Sequence, residues 1–458
     1  MKITSIKGFA DIFPGEVEAW QLVEAKARQV FSFYNFAEIR IPILEKTELF
    51  SRSIGETTDI VEKEMYTFPD REVSSSTILS KSGSTGLAQS KSGTMGQTVS
   101  RSAGYTHSIP GPLMLTLRPE GTAGVVRAYI ESEMYKVEPV RKLYYMGPMF
   151  RRERPQKGRM RQFHQIGAEA LGRGDPFIDT EILLLLNDFL AALGLTEPSL
   201  QINSLGCGAC RPEYRETLLQ FLRLRQGELC GNCQRRIERN PLRALDCKEA
   251  GCIHATQDAP SIVDSLCHGC RDHFNTVQRL LHETQVKFAL NPRMVRGLDY
   301  YCRTTFEWTT ALLGSQSAVA AGGRYDGLVQ QLGGPPIPGV GFALGVERLT
   351  MLLRLQENLP ARGPGLYIVW IGDKARDWAF STLHRLRRAG LQVEMEAEAR
   401  SMKSQMRRAD KLKAVSVLIV GENELTRGSA ALRDMASKQQ QDIDLNNIEA
   451  ELVARKVN

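Results

Sequence analysis

Val17, Trp20, Val23, Ala27, Val30 and Phe31 recur at intervals of three and four, the spacing of one helix face, and predict an amphipathic helix over residues 16–33. The pattern then switches. Residues 36–42 alternate apolar and polar as a strand does, and Pro42 closes the run because it has no N–H for a strand ladder. Short strands are predicted at 113–117 and 143–146, a helix over 180–193 that stops at Gly194, and a further strand at 201–205. Residues 288–308 return to strand character and 346–355 to helical character.

Residues 361–365, rich in Gly and Pro, read as a linker. Beyond it, 366–371 and 415–420 are largely apolar runs of the kind found in strands buried on both faces, and helical patterns alternate with them. A small α/β domain over 363–458, with helices packed on a sheet, is the expectation. One stretch fits neither period. Residues 74–104 are mostly Ser, Gly and Thr, and Ser80-Lys81-Ser82-Gly83 recurs as Ser90-Lys91-Ser92-Gly93 and more loosely at 100–103. So polar a segment buries too little apolar surface to offset the entropy of ordering it, and a disordered surface loop is predicted. The functional alternative is a basic, serine-rich arm that touches RNA or bears phosphates.

Composition narrows the class. The 458 residues allow two to four domains at roughly 100–200 residues each. With 42% apolar and 24% charged residues the chain has the make-up of a soluble enzyme. No run of about 18 apolar residues occurs and the first residues lack an apolar signal core, so no membrane span and a cytoplasmic location are expected. Lys and Arg exceed Asp and Glu by 59 − 52 = 7, which only hints at a polyanionic partner. Two local clusters carry more weight, at 151–161 and 400–413.

Eight of the nine cysteines fall in four close pairs: Cys207 and Cys210, Cys230 and Cys233, Cys247 and Cys252, Cys267 and Cys270. In a chain without a secretion signal, that spacing suits one or two Cys₄ structural zinc sites, with buried or partly oxidised thiols as the alternative. Cys302 stands alone and reads as a core thiol, and His164 as a structural hydrogen-bonding residue.

Four segments are dense in chemistry: 116–122, with Glu120 and Thr122; 147–169, with Arg151, Glu153, Phe163, Gln165 and Glu169; 295–301 followed by 322–326, with Arg296, Tyr301 and Tyr325; and 339–349, with Arg348. Arginines beside aromatics and glycines suit a planar nucleotide with a charged tail, since guanidinium grips phosphate through a two-pronged fork and an aromatic stacks on a base. Glu120, in a Pro-Glu-Gly turn, could pair with an ammonium group. Any one of these arginines alone would more often be a solvated charge or a structural ion pair; four such segments in one chain describe a site for phosphates and a zwitterion.

These segments resemble the signatures of class II aminoacyl-tRNA synthetases. Phe150-Arg151-x-Glu153 is similar to the second motif, Gly345-Val346-Glu347-Arg348 to the third, and 36–42 to the first, which sits at the dimer interface in that class. The segments 296–301 and 322–326 resemble the two histidine-specific motifs of the histidyl-tRNA synthetase family, and the likeness covers nearly the whole chain except 74–104.

The resemblance implies an α+β catalytic domain over 1–360, built on an antiparallel sheet flanked by helices, with a cysteine-rich insertion at 206–288 and an anticodon-binding domain at 363–458. It implies activation of L-histidine by ATP with Mg²⁺, transfer to tRNA(His), and a homodimer. In that scheme Arg151 and Arg296 support the reacting α-phosphate, Arg348 the γ-phosphate end, Phe163 the adenine ring and Glu153 its amine. Glu120, Thr122 and Gln165 hold the α-amino group, Glu169 and Tyr301 address the imidazole nitrogens, and Tyr325 helps close the pocket. Arg400, Lys403, Arg407 and Arg408 line a helix that faces tRNA phosphates, or else form an ordinary solvated face. The other readings on the same scaffold are a regulatory subunit of an ATP phosphoribosyltransferase, a synthetase for another amino acid, and a non-enzymatic tRNA-binding protein.

Overall fold

The strand predicted at 143–146 is the middle of a much longer one. A computed structural model of the chain describes residues 3–55, 58, 60–70, 113–156, 158–314, 317–356 and 363–455; the loop expected at 74–104 and linker residues 361 and 362 lie outside them. The chain forms two compact units, Met1–Asn358 and Leu359–Asn458.

The strands of the first unit are β1 (Ala37–Glu38), β2 (Leu44–Lys46), β3 (Tyr66–Pro69), β4 (Met114–Leu117), β5 (Arg141–Phe150), β6 (Gln162–Leu171), β7 (Ser199–Ser204), β8 (Phe288–Leu290), β9 (Cys302–Thr309), β10 (Ala318–Arg324) and β11 (Gly339–Gly345). Eight of them make one sheet in the order β1-β5-β6-β11-β10-β9-β7-β8, antiparallel through its middle and parallel only at its two ends. β2, β4 and β3 form a small second sheet. The strand predicted at 36–42 shrinks to two residues, because Pro42 and the carbonyls before it are engaged elsewhere. Buried Arg118 donates to Ile41 O at 2.6 Å, Pro42 O at 3.2 Å and Pro148 O at 2.9 Å.

Helices cover one face of the large sheet. The helix Val17–Phe33 buries the apolar stripe read from the sequence, and the helix Pro176–Ala192 begins a turn before the predicted start. That start has its own signal: the Asp175 carboxylate accepts the Phe177 N–H at 3.1 Å and Pro176 occupies the first turn. Phe31 stands edge-on to Tyr144, Phe189 and Phe342 at 5.3, 5.5 and 6.0 Å, which locks both helices onto β5 and β11. Side chains alternate across a strand. Thus His164 of β6 faces the helices, against Trp20 at 4.8 Å, while Phe163, Gln165 and Glu169 point to the opposite face.

The second unit is a five-stranded mixed sheet of β12 (Leu366–Ile371), β13 (Val393–Met395), β14 (Ser416–Gly421), β15 (Ser429–Asp434) and β16 (Gln440–Asp444), in the order β13-β12-β14-β15-β16. β13, β12 and β14 run parallel; β15 and β16 are antiparallel. Along β12, Leu366, Ile368 and Trp370 enter one apolar cluster and Tyr367 and Val369 another, so both faces are buried and the strand reads as a continuous apolar run. Among the described residues no helix is long and apolar enough to cross a membrane.

Candidate active site

The face of the eight-stranded sheet opposite the helix Val17–Phe33 carries a cavity of about 320 Å³. Nine of the residues singled out from the sequence line it: Glu120, Thr122, Arg151, Glu153, Phe163, Gln165, Arg296, Tyr301 and Arg348. They come from β6, the hairpin between β5 and β6, the turn after β4 and the first residue of the helix Thr122–Glu131, the 291–301 loop and the start of the helix Val346–Leu355, and only the sheet brings them together. Glu169 and Tyr325 do not line it. They lie directly behind Thr122, whose hydroxyl donates to Glu169 Oε1 at 2.6 Å, while the Tyr325 hydroxyl donates to Oε2 at 2.5 Å. Burial is the main cause that pushes the Glu169 carboxyl up to about 8, and the charge of Glu120 adds to it. A Cβ at Gly341 would occupy the space of the Glu169 carboxylate, so one glycine of the Gly-x-Gly pattern at 339–341 is there for room.

Glu120 accepts the backbone N–H groups of Thr122 at 2.7 Å and Ala123 at 2.9 Å, which holds a carboxylate at the start of the helix Thr122–Glu131. Its neighbour Gln165 keeps a buried Oε1 with no hydrogen-bond donor among the described residues. A buried acceptor without a donor costs free energy unless a ligand supplies one, and an ammonium group would.

The opposite side of the cavity is cationic. Arg151 donates to Pro119 O at 2.9 Å and lies 5.2 Å from the Phe163 ring centre. Arg348 bonds Ala318 O at 2.5 Å. Arg296 pairs with Glu307, lies over the Tyr301 ring at 5.4 Å, and leaves its buried Nε without an acceptor among the described residues. Burial first, then the charges of Arg159 and Arg151, press the Arg348 guanidinium below its usual value, and burial does the same to Arg151. Guanidinium groups stay charged in proteins, so the shift of Arg348 records burial and cationic crowding that an anion would relieve.

Four ionisable side chains of the cavity were not singled out from the sequence: Arg159, Tyr300, Glu307 and Glu347. Arg159 sat in the basic cluster at 151–161 and pairs with Glu153. Glu347 lies beside Arg348 in the motif, where it accepts the His164 N–H at 2.8 Å and meets the imidazole Nδ1 at 3.2 Å. Glu307 is the one acid in the strand Cys302–Thr309, and no local pattern marks it as the partner of Arg296.

The eight paired cysteines gather into two clusters, Cys207, Cys210, Cys267 and Cys270 in one and Cys230, Cys233, Cys247 and Cys252 in the other, with all sulfurs of a cluster within 4.8 Å of one another. Each is a free thiol. Cys302 is separate, and its sulfur accepts the Asp326 N–H at 3.4 Å. In the second unit, Lys403, Arg407 and Arg408 project from the exposed side of the helix Met402–Lys411, and Arg400 precedes it. Glu396 lies between Arg400 and Arg408, 3.6 Å from each, an acid outside the 400–413 cluster.

A family model described as histidyl-tRNA synthetase matches residues 112–349, and one described as anticodon binding domain matches 366–455. The chain is 55% identical over 444 residues to a histidine–tRNA ligase of Geobacter metallireducens, an alignment covering 97% of this chain and 98% of that one. It is 51% identical over 455 residues to the histidine–tRNA ligase of Syntrophotalea carbinolica, with 99% of each covered. The apo crystal structure of S. aureus histidyl-tRNA synthetase superposes with a TM-score of 0.72 at 32% identity, covering 98% of this chain and 99% of that one. With that likeness running end to end and the motif residues meeting on one sheet face, the chain belongs to the histidyl-tRNA synthetase family of class II aminoacyl-tRNA synthetases.

Proposed function

We propose that the chain is a histidine–tRNA ligase, which activates histidine with ATP as histidyl-adenylate and transfers the histidyl group to the 3′ end of tRNA(His). The observation that carries this is the convergence of Arg151, Arg296 and Arg348 with Glu120, Gln165 and Tyr301 on one cavity. A carboxylate oxygen of histidine attacks the α-phosphorus in line, a new P–O bond forms, and the bond to the bridging oxygen breaks as pyrophosphate leaves with its electron pair. Such a transfer needs positioning and charge stabilisation more than covalent help. Arg151 and Arg296 hold the α-phosphate and the attacking carboxylate, and Arg348 holds the γ-phosphate end. Phe163 stacks on adenine and Glu153 takes its amine.

Glu120, Thr122 and Gln165 receive the α-amino group, Gln165 through the oxygen that has no donor at present. Tyr301 and Glu169 read the two imidazole nitrogens, Glu169 by way of the hydroxyls that now hold it, and Tyr325 closes the pocket behind. Buried polar partners of this kind reject an apolar isostere by about 10⁴-fold, because it leaves them unpaired.

Mg²⁺ would enter on ATP and neutralise its phosphate oxygens. The acids on the cavity are already engaged: Glu120 by backbone amides, Glu153 by Arg159, Glu307 by Arg296 and Glu347 by His164. The triphosphate oxygens rather than a protein carboxylate cage would therefore hold the ion. Arg400, Lys403, Arg407 and Arg408 contact the tRNA in the anticodon-binding unit. A cytoplasmic homodimer, paired through the 36–42 region, completes the proposal.

Histidine-dependent exchange of pyrophosphate into ATP, followed by charging of tRNA(His), tests the reading. Exchange that ignores histidine, or that follows another amino acid, would overturn it.

A further inference from the structure

We propose that the insertion binds two Zn²⁺ ions, one in each cysteine cluster, and that the outer ion sets the two tyrosine-bearing walls of the histidine pocket. The second half rests on the pocket reading above; the first does not.

A tetrahedral zinc site has Zn–S bonds of about 2.3 Å, which places neighbouring sulfurs about 3.8 Å apart. In the outer cluster Cys207 Sγ lies 3.7 Å from Cys210 Sγ and 3.9 Å from Cys267 Sγ. In the inner one Cys230 Sγ lies 3.9 Å from Cys247 Sγ. Each cluster also directs a backbone amide at a sulfur, Cys267 N–H to Cys210 Sγ at 3.2 Å and Cys230 N–H to Cys252 Sγ at 3.1 Å. Such bonds stabilise thiolate rather than thiol, as metal ligation requires. The sulfurs are thus arranged around two single ions, with the inner site nested inside the outer.

The segment needs such staples. After the helix Arg211–Leu224, the stretch between the outer pairs is built of the six-residue helices Gly231–Arg236 and Ala250–Ala255 and of single 3₁₀ turns, all far shorter than a helix that stands alone in water.

The outer cluster also occupies a particular place. Cys210 immediately precedes the helix Arg211–Leu224 and Cys267 the helix His268–Glu283, so one ion would fix the start of both. From the first helix, Arg211 donates to Leu205 O at 3.2 Å and to the carbonyl of Tyr301. From the second, His273 Nε2 meets Asp179 Oδ2 at 2.7 Å, and Asp179 Oδ1 takes Arg324 Nε at 2.9 Å. Arg324 is followed by Tyr325, whose hydroxyl holds Glu169. Two routes therefore run from the outer cluster, one ending on Tyr301 and the other on Tyr325.

The test is zinc content of the full chain, purified after expression with zinc, by elemental analysis. Two ions per chain are expected, and one each in Cys267→Ser and Cys247→Ser, which alter ligands that are not fully buried. Cys267→Ser should raise KM for histidine about tenfold with kcat for exchange and KM for ATP nearly unchanged; mere loss of folded enzyme would lower kcat instead. One zinc or none in the unaltered chain, or two in either variant, overturns the pair of sites. An unchanged histidine KM in Cys267→Ser overturns the coupling alone. If that variant does not fold, Co²⁺ in place of zinc in the unaltered chain decides the sites: intense tetrahedral thiolate absorption at two equivalents supports them, and its absence overturns them. A chain without histidine-dependent exchange leaves the metal count to stand by itself.

Discussion

The Tyr325 hydroxyl donates to the Glu169 carboxylate at 2.5 Å, in a place where neither residue touches solvent. Thr122 supplies the only other hydrogen bond to that carboxylate among the described residues. Two hydroxyls favour the charged form, yet burial outweighs them and the carboxyl stays protonated well past neutral acidity, to about 8. The pocket floor is therefore a neutral, hydrogen-bonding acid whose ionisation is held back by its surroundings.

Stability should carry the signature of this group. Its ordinary value is 4.5, so between there and about 8 the folded chain holds a proton that the unfolded chain has released. The stabilisation is complete below the ordinary value and is lost as pH rises through the folded one, with a slope of up to about 1.4 kcal/mol per pH unit. Urea midpoints from pH 5 to 9 should decline more steeply for the unaltered chain than for Glu169→Gln, which has no proton to lose. Equal slopes in the two proteins would remove Glu169 from the pocket's electrostatics.

Arg296 should matter more to rate than to binding of histidine. It lines the cavity, is held by Glu307, and its Nε has no hydrogen-bond partner among the described residues. Arg296→Ala should lower kcat for exchange by about 10²–10³-fold, the usual loss when one preorganised donor to a developing charge is removed. Arg296→Lys should recover little, because an ammonium has no fork to bridge phosphate and carboxylate. Glu307→Gln keeps the guanidinium but loosens its anchor, and should fall between the two. Near-normal exchange by Arg296→Ala would sink the catalytic assignment.

How far the sequence discloses such a site depends on the range of the interaction. The stripe from Val17 to Phe31 and the run at 366–371 are set by burial of one face or two, and burial leaves a period in the chain. The antiparallel pair β15 and β16 leaves little: Ser429–Asp434 buries only Ala430 and Leu432 and Gln440–Asp444 only Ile443, so they form through register with β14 and with each other more than through their own pattern. The same holds for chemistry. Arg151 and Arg348 stand in motifs dense enough to notice, while Glu307 becomes a partner only because β9 and β10 place it under a loop eleven residues earlier in the chain. The cysteine spacing likewise discloses four pairs but not which pair faces which, since nesting is a property of the folded insertion.

The network beneath the pocket should be costly to break. Arg324 has no exposed surface and bonds Asp179 at 2.9 Å, Asp326 at 2.7 Å and Arg173 O at 2.8 Å. Burial alone would raise the Asp179 carboxyl, but the His273 hydrogen bond and the Arg324 charge outweigh it and hold it below its usual range. Asp179→Ala leaves a buried guanidinium short of its fully buried counter-charge, which costs about 3–5 kcal/mol. Chemical denaturation should show that loss for Asp179→Ala and a smaller one for His273→Ala, where Arg324 keeps its carboxylate. A loss under about 1 kcal/mol for Asp179→Ala would mean that Asp326 suffices.

The basic helix of the second unit should divide into two functional pairs. Arg400 and Arg408 share Glu396, so part of their charge is already balanced, while no described ion pair involves Lys403 or Arg407, one turn apart on the exposed side. A phosphate backbone would displace water rather than a protein acid at Lys403 and Arg407. Substituting both by Ala should therefore weaken tRNA binding more than substituting Arg400 and Arg408, and should flatten the dependence of log Kd on log salt by about 0.7–0.9 for each phosphate that the variant no longer neutralises. Histidine-dependent exchange needs no tRNA and should stay unchanged in both double variants. If the salt dependence is the same in all three proteins, the helix presents an ordinary solvated face and the tRNA is held elsewhere on the unit.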